Sequence, residues 1–477
     1  MANFIDFHVH PTLKPYGKSY YVDNERGKLH NSYDLYSESC IWHKDRVSLI
    51  SEAKENTAGF SVYTQADFSS MRNGQLKVVV VSLYPIEKGF FNTKADFPQE
   101  VRTYIGNMIT AIGKSRINAV LSDQFNYWED TKHEYGFLKL LDDQVASGGK
   151  GKYKMISSYS EIDSSQDIIY VLLSVEGGHL FCEGNDTRDP NAWQNLEANV
   201  AYLKNPNAWP HRPFFITLAH HFYNGLCSHA ESLPPALASF VSQEDGLEQK
   251  VDGEKYITGN GYRLIDLLYS ETNGKRIFID VKHMAKDTRK EFYAYHTLKY
   301  SHIPVIYSHG GVRGAHPYYD KGINLDDEDI DYICKSNGLI GLEMDQRIMG
   351  YNGTSDRFIH WVKDIFTQHN KQDVEWASPF WNNLLYIAEY CYKHGIHTDN
   401  PWKFICLGTD YDGIINPLNR YRTADAIPTL HDVLVNYLND YWGQQHPVIP
   451  NGTGGTTEQV IEQIMYTNAF EFIKTNF

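Results

Sequence analysis

Short apolar runs bounded by turn residues recur along the chain, and the stretches between them space their apolar positions by three and four. The runs at 4–8, 78–84, 168–176, 214–220, 277–283, 304–309, 339–344 and 404–410 are rich in β-branched and aromatic residues, and each predicts a strand. Helical spacing predicts helices over 98–114, 192–204, 262–270, 286–300, 326–335 and 381–393. Two more, 430–442 and 457–474, follow the last strand. Strands that alternate with helices through a whole chain predict an α/β fold with a parallel sheet. Eight such units predict closure into a (β/α)8 TIM barrel.

Two segments break that rhythm. The stretches 11–77 and 228–260 are too long for strand-to-helix connections. Long excursions at the carboxyl ends of barrel strands build and cover active sites, so both are expected to be substrate-side loops. No low-complexity run, charge block or Pro-rich linker divides the sequence, and residues 1–477 read as one domain carrying these insertions.

Composition narrows the function. Hydrophobic residues make up 42% of the 477, which is ample for a packed core and excludes a disordered chain. Lys plus Arg number 44 against 59 Asp plus Glu, and a net charge of −15 opposes the phosphate contacts on which nucleic-acid binding rests. The six cysteines, at 40, 182, 227, 334, 391 and 406, form no CxxC pair, so neither a thiolate zinc site nor a disulfide framework is expected. No apolar stretch approaches the roughly 20 residues of a spanning helix, and MANFIDFHVH lacks the regions of an export signal. The expectation is a cytoplasmic protein without a membrane segment.

The chemistry gathers at the strand ends. His8 and His10 stand two apart at the end of the first strand, where both side chains leave one face and can grip one ion. About one His-x-His is expected by chance among 21 histidines, so this pair alone carries little. Other strands also end in ligand-type residues: SVEGGH holds Glu176, TLAHH holds His220, DVKH holds His283, YSHGG holds His309 and GTDYDG holds Asp410. Imidazoles and one carboxylate without thiolates suit Zn2+ or a similar divalent ion, and five such ligands exceed the needs of one open catalytic site. Two metal ions are implied, with Glu176 able to bridge them through its two oxygens.

These motifs, in this order, resemble the membrane (renal-type) dipeptidase family, peptidase family M19, within the amidohydrolase superfamily. INLDDEDI and the terminal TNAFEFI also resemble segments of that family. The resemblance implies a metal-dependent hydrolase barrel in which His8 and position 10 hold one zinc, Glu176 bridges, and His283 and His309 hold the second. It further implies that His220 contacts the scissile group, that Asp410 handles protons, and that a homodimer is allowed. Position 10 departs from the family pattern, in which it is Asp. An arginine used by the family near the substrate carboxylate is also displaced, leaving Lys321 or Arg313 as substrate-binding candidates.

The expected reaction is hydrolysis of an amide bond, most simply in a dipeptide, by a hydroxide bridging two zinc ions. His220 would donate to the developing oxyanion, and Asp410 would carry the proton to the leaving nitrogen. His221 is the alternative to His220. Asp412 reads as a cap of the following turn, and Lys282 is expected to point away from its neighbour His283. Two rivals share the residues: a lactone or phosphoester hydrolase on the same metals, and a non-catalytic metal-binding barrel whose 34 Tyr and 9 Trp serve a ligand or partner.

Overall fold

The computed structural model describes residues 3–20, 34–59, 61–93, 97–233, 241, 255–315, 322–350, 361 and 369–477. All eight expected runs contain a strand: β1 (Phe4–Val9), β2 (Leu76–Leu83), β4 (Ile169–Glu176), β5 (Phe215–Thr217), β6 (Phe278–Asp280), β7 (Ile306–Tyr307), β8 (Leu339–Leu342) and β9 (Ile405–Leu407). A further short strand, β3 (Tyr153–Met155), pairs with β4 off the main path. The pairing order β1-β2-β4-β5-β6-β7-β8-β9 is parallel throughout. The ring closes where Asp410 N donates to His8 O (3.0 Å) and His10 N donates to Tyr411 O (2.9 Å). The seam of the barrel therefore passes through three of the residues singled out for chemistry.

Two buried aspartates tie the strands together beneath those residues. Asp6 on β1 accepts from Thr409 Oγ1 (2.6 Å), Thr409 N (2.9 Å) and His8 N (3.3 Å). Asp280 on β6 accepts from Thr217 Oγ1 (2.6 Å), Ser308 Oγ (2.6 Å), Ser308 N (3.0 Å) and Lys282 N (3.0 Å). A buried carboxylate is tolerable only when its oxygens are met this fully. Each also fixes the backbone of the next strand end.

The helices follow expectation with shifted limits. Gln99–Thr110, Gly259–Tyr269, Lys286–Lys299, Asp327–Lys335 and Ile427–Trp442 fall within a few residues of their predicted bounds, whereas His369–Lys393 begins a dozen residues earlier. The last pattern divides into Thr457–Glu462, a π turn and Asn468–Asn476, where Phe472 packs on Phe7 and Phe214 with ring centroids 6.0 and 5.9 Å apart. The helix Tyr127–Lys139 was not expected. Its inner face mixes Tyr127, Trp128 and Leu138 with Asp130 and Glu134, so the apolar period is interrupted. Both acids are buried beside Arg116, whose Nη2 lies 3.0 Å from Asp130 and 3.8 Å from Glu134.

The long stretch 11–77 is more ordered than a loop. Its described residues form the helices Leu13–Ser19, Leu49–Ala58 and Phe68–Asn73. Much of 228–260 lies outside the described residues, but Ser232 and Leu233 reach the cavity at the strand ends. Among the described residues no helix is long and apolar enough to cross a membrane.

Candidate metal centre and active site

Five predicted ligands converge at the carboxyl end of the barrel, all buried. Glu176, the last residue of β4, is the hub. Its Oε2 lies 2.9 Å from His10 Nε2 and 3.5 Å from His8 Nε2. Its Oε1 lies 3.0 Å from His283 Nε2 and 3.3 Å from His309 Nε2. The two oxygens thus face two separate pairs of imidazoles. Asp410 joins the first pair, with Oδ1 3.2 Å from His10 Nε2 and 3.9 Å from His8 Nε2. His8, His10, Glu176 and Asp410 form one cluster with ligand spacing, and Glu176, His283 and His309 form another.

Neighbouring groups aim the imidazoles. His10 Nδ1 donates to the Ser82 carbonyl (2.9 Å), which leaves the Nε2 lone pair for the centre. Ser308 Oγ, which donates to Asp280, accepts from His309 Nδ1 (2.8 Å) and orients that ring in the same way. His309 Nε2 is buried without a hydrogen-bond partner, although it faces Glu176. Both rings aim Nε2 at the centre, the nitrogen that a divalent cation would take once it carries no proton.

The electrostatics agree. Burial pushes His309 and His283 far below the usual histidine range, keeping both rings neutral. Burial raises Glu176, but facing His220, His8 and His309 outweigh it and hold the carboxyl well below its ordinary range. Burial also opposes charge on His10, yet hydrogen bonds to Asp410 and Glu176 raise it to about 10. Without an ion, the two carboxylates hold a proton on His10 as their counter-charge. A divalent cation would supply that charge instead, so His10 still fits a metal site.

His220 sits beside this centre, with Nε2 3.5 Å from Glu176 Oε2 and Nδ1 2.6 Å from Glu87 Oε1. Burial lowers its pKa, but the Glu87 and Glu176 carboxylates raise it to about 9, so Nδ1 and Nε2 both act as donors near neutral pH. His221, rather than His220, is among the residues that line the cavity with His283 and Asp410. Strand alternation does not separate these two histidines, because β5 ends at Thr217 and both follow it on irregular chain.

Lys282 is a correction of the same kind. It lines the cavity together with His283 rather than pointing away from it. The strand stops at Asp280 and His283 adopts φ +65°, so the pleat no longer governs direction. Lys282 Nζ pairs with Glu343 Oε2 (2.9 Å). Asp412 does not cap the turn that follows it: it accepts from Lys14 Nζ (2.6 Å), Gln65 N and Ala66 N, binding the first loop to the loop of Asp410.

Arg313 pairs with Asp326 (3.2 Å) and is not among the cavity-lining residues. Lys321 lies outside the described residues. The arginine that does line the cavity is Arg347, held by Asp345 through Nε (3.0 Å). Sequence reasoning missed Glu87, Asp280, Arg347 and Asp6. Only Asp6 and Asp280 carried a signal, as acids two and three residues before a predicted ligand.

Residues 242–445 match the family described as membrane dipeptidase, peptidase family M19. Over that segment the chain is similar to the membrane dipeptidases. The segment of the dipeptidase match holds His283, His309 and Asp410, whereas His8, His10, Glu176 and His220 precede it and join them only in space. A metallo peptidase from Rhodobacter sphaeroides, liganded with a phosphinate mimic of the dipeptide L-Ala-D-Ala, is 12% identical with a TM-score of 0.53, over 100% of this chain and 99% of its own. Dipeptidase AC, a metallo peptidase of family M19, is 12% identical with a TM-score of 0.52 over the same shares. At that identity the likeness is one of fold, and it agrees with the barrel described above. No curated protein matches the chain in sequence.

Glu87→Gln tests how His220 is held. The carboxylate accepts from His221 N (3.1 Å) and faces His220 Nδ1, and an amide can present its NH2 instead, turning the ring or its tautomer. Turnover is expected to fall about 10- to 100-fold with metal content unchanged, as for other partners that orient site histidines. Steady-state kinetics with elemental analysis of the same preparation checks it.

Proposed function

We propose that the protein is a binuclear metal-dependent dipeptidase acting as a single barrel domain over residues 1–477. The observation that carries this reading is the division of Glu176, with one oxygen toward His8 and His10 and the other toward His283 and His309. That is the geometry of a carboxylate placed to bridge two ions, and the all-nitrogen-and-oxygen donor set favours Zn2+. When bound, the ions supply Lewis acidity and lower the pKa of a bound water toward about 7.

The chain's own groups do the rest. His220 donates from Nε2 to the carbonyl oxygen as negative charge develops there. Its other nitrogen stays engaged with Glu87, so the ring needs no reorientation during the step. Asp410 accepts the proton of the attacking water and returns it to the leaving amine. Its Oδ1 and Oδ2 face opposite parts of the centre, 3.2 Å from His10 Nε2 and 3.9 Å from His309 Nε2. Phe90, Leu233, Ile348 and Ile415 wall the cavity and limit water around the reacting atoms.

Purified protein is expected to hold two divalent ions per chain by elemental analysis. It should hydrolyse dipeptides in a side-by-side panel with lactones and phosphoesters. A chelator should abolish that activity and Zn2+ restore it. One ion or none after reconstitution, or turnover of esters alone, overturns the proposal.

A further inference from the structure

The loop after β9 carries an unusual backbone. Asp410, Asp412 and Ile414 all lie in the left-handed region, at φ +58°, +69° and +66°. Aspartate tolerates that region, because its short polar side chain bonds locally. A β-branched residue there is a genuine outlier, and where one persists the surroundings or the function require its side chain. Gly413 between them has its own reason, since a Cβ at that position would lie 2.0 Å from Asp410 Oδ1. Ile414 has no such backbone reason, and glycine or asparagine would make the turn at lower cost.

What Ile414 does make is a wall. It is buried, 6% exposed, and faces the cavity that also contains His283 and Asp410. Ile415, Phe90, Leu233, Ile323 and Ile348 line the same space. These six residues come from the segments after β2, β5, β7, β8 and β9, so five separate parts of the chain place an apolar group at one spot. Of the charged members of the lining, Lys282 pairs with Glu343, Arg347 pairs with Asp345, and Asp410 faces His10. The cavity thus has a reactive polar floor and an apolar flank.

We propose that Ile414 is a specificity-determining residue, forming with its apolar neighbours a subsite for an aliphatic or aromatic side chain of the substrate. The inference rests on the dipeptidase reading and deepens it: the substrates are dipeptides with an apolar residue. The left-handed conformation turns the isoleucine toward the reacting atoms, where it contacts the substrate side chain while Asp410 keeps its place at the centre.

The test uses Ile414→Gly and Ile414→Asn in the full chain loaded with Zn2+. Both replacements suit φ +66°, which offsets part of the cost of removing a buried side chain, so Tm is expected to fall by no more than about 5 °C. For Gly-Phe, Phe-Gly and Gly-Leu, kcat/KM relative to Gly-Gly is expected to fall about tenfold or more in both variants, the scale of losing apolar contact in a specificity pocket. An equal fall for every dipeptide, or an unchanged preference, overturns the inference. So does a large drop in Tm, which would assign Ile414 to the fold. A second arm needs no turnover: saturation-transfer NMR of Gly-Phe and Phe-Gly with the metal-free protein. Ring-proton saturation is expected in wild type and is expected to be lost in Ile414→Gly; its absence in wild type overturns the subsite. If wild type shows the saturation but hydrolyses no dipeptide, the dipeptidase reading fails while the apolar subsite stands.

Discussion

Glu176→Gln is expected to lower kcat/KM by about 1,000-fold and to take the metal content from two ions per chain to one or none. Each oxygen of the carboxylate serves one pair of imidazoles, His8 and His10 on one side and His283 and His309 on the other. A glutamine of the same shape offers one acceptor and turns an NH2 toward the other pair. It also removes the negative charge that faces the imidazoles of the buried centre. Breaking a buried charge constellation on one side costs about 3–5 kcal/mol, or about 10²- to 10⁴-fold in binding or rate. The side-chain volume is conserved, so the circular-dichroism spectrum should match wild type. Elemental analysis and kinetics on one preparation check the prediction, and retention of two ions with normal turnover would remove Glu176 as the bridge.

Asp410→Asn is expected to separate chemistry from metal binding. The residue is fixed by its backbone, which donates to His8 O and adopts φ +58°, a conformation that asparagine also tolerates. The amide cannot take up a proton, and loss of a general acid–base group lowers kcat by about 10²- to 10⁴-fold. The cluster of Glu176, His283 and His309 does not include Asp410, so the ion proposed there should stay. Loss of turnover with metal intact excludes a barrel that only binds. Loss of an ion together with turnover would make Asp410 a ligand of the His8 and His10 site, within whose ligand spacing it also lies.

The candidate ligand set was legible because each member lies at a strand's end or within three residues of it, and strand ends are marked in sequence by apolar runs that give way to polar residues. Glu176 after Val175 is of this kind. Direction was less legible. Strand alternation predicted Lys282 opposite His283 and His220 opposite His221, yet β5 and β6 are three residues long and these pairs lie beyond them. Once the ladder ends, local backbone torsion decides where a side chain points, and the positive φ of His283 has no marker in the sequence.

Glu87 and Arg347 illustrate the other limit. Glu87 follows β2 and meets His220 from beyond β5, a separation of 133 positions, and nothing near either residue announces the other. Arg347 became visible only when the segments after β5, β8 and β9 were placed around one cavity. Conversely, Arg313 matched by position in the sequence and is engaged elsewhere, with Asp326.

The sequence by itself determined the alternation of strands and helices, the polar residues that end the strands, and a donor set of imidazole and carboxylate suited to a divalent ion. These are local properties, carried by hydrophobic period and side-chain type. Tertiary structure alone decided that Glu176 divides its oxygens between two pairs, that Glu87 holds His220, that Asp412 joins the first and last loops, and that Ile414 faces the cavity. Those depend on closure of the barrel at His8 and Asp410, which brings residues four hundred positions apart within hydrogen-bonding reach. Periodicity tells a chain which side to bury, but only packing around the closed ring chooses the neighbours.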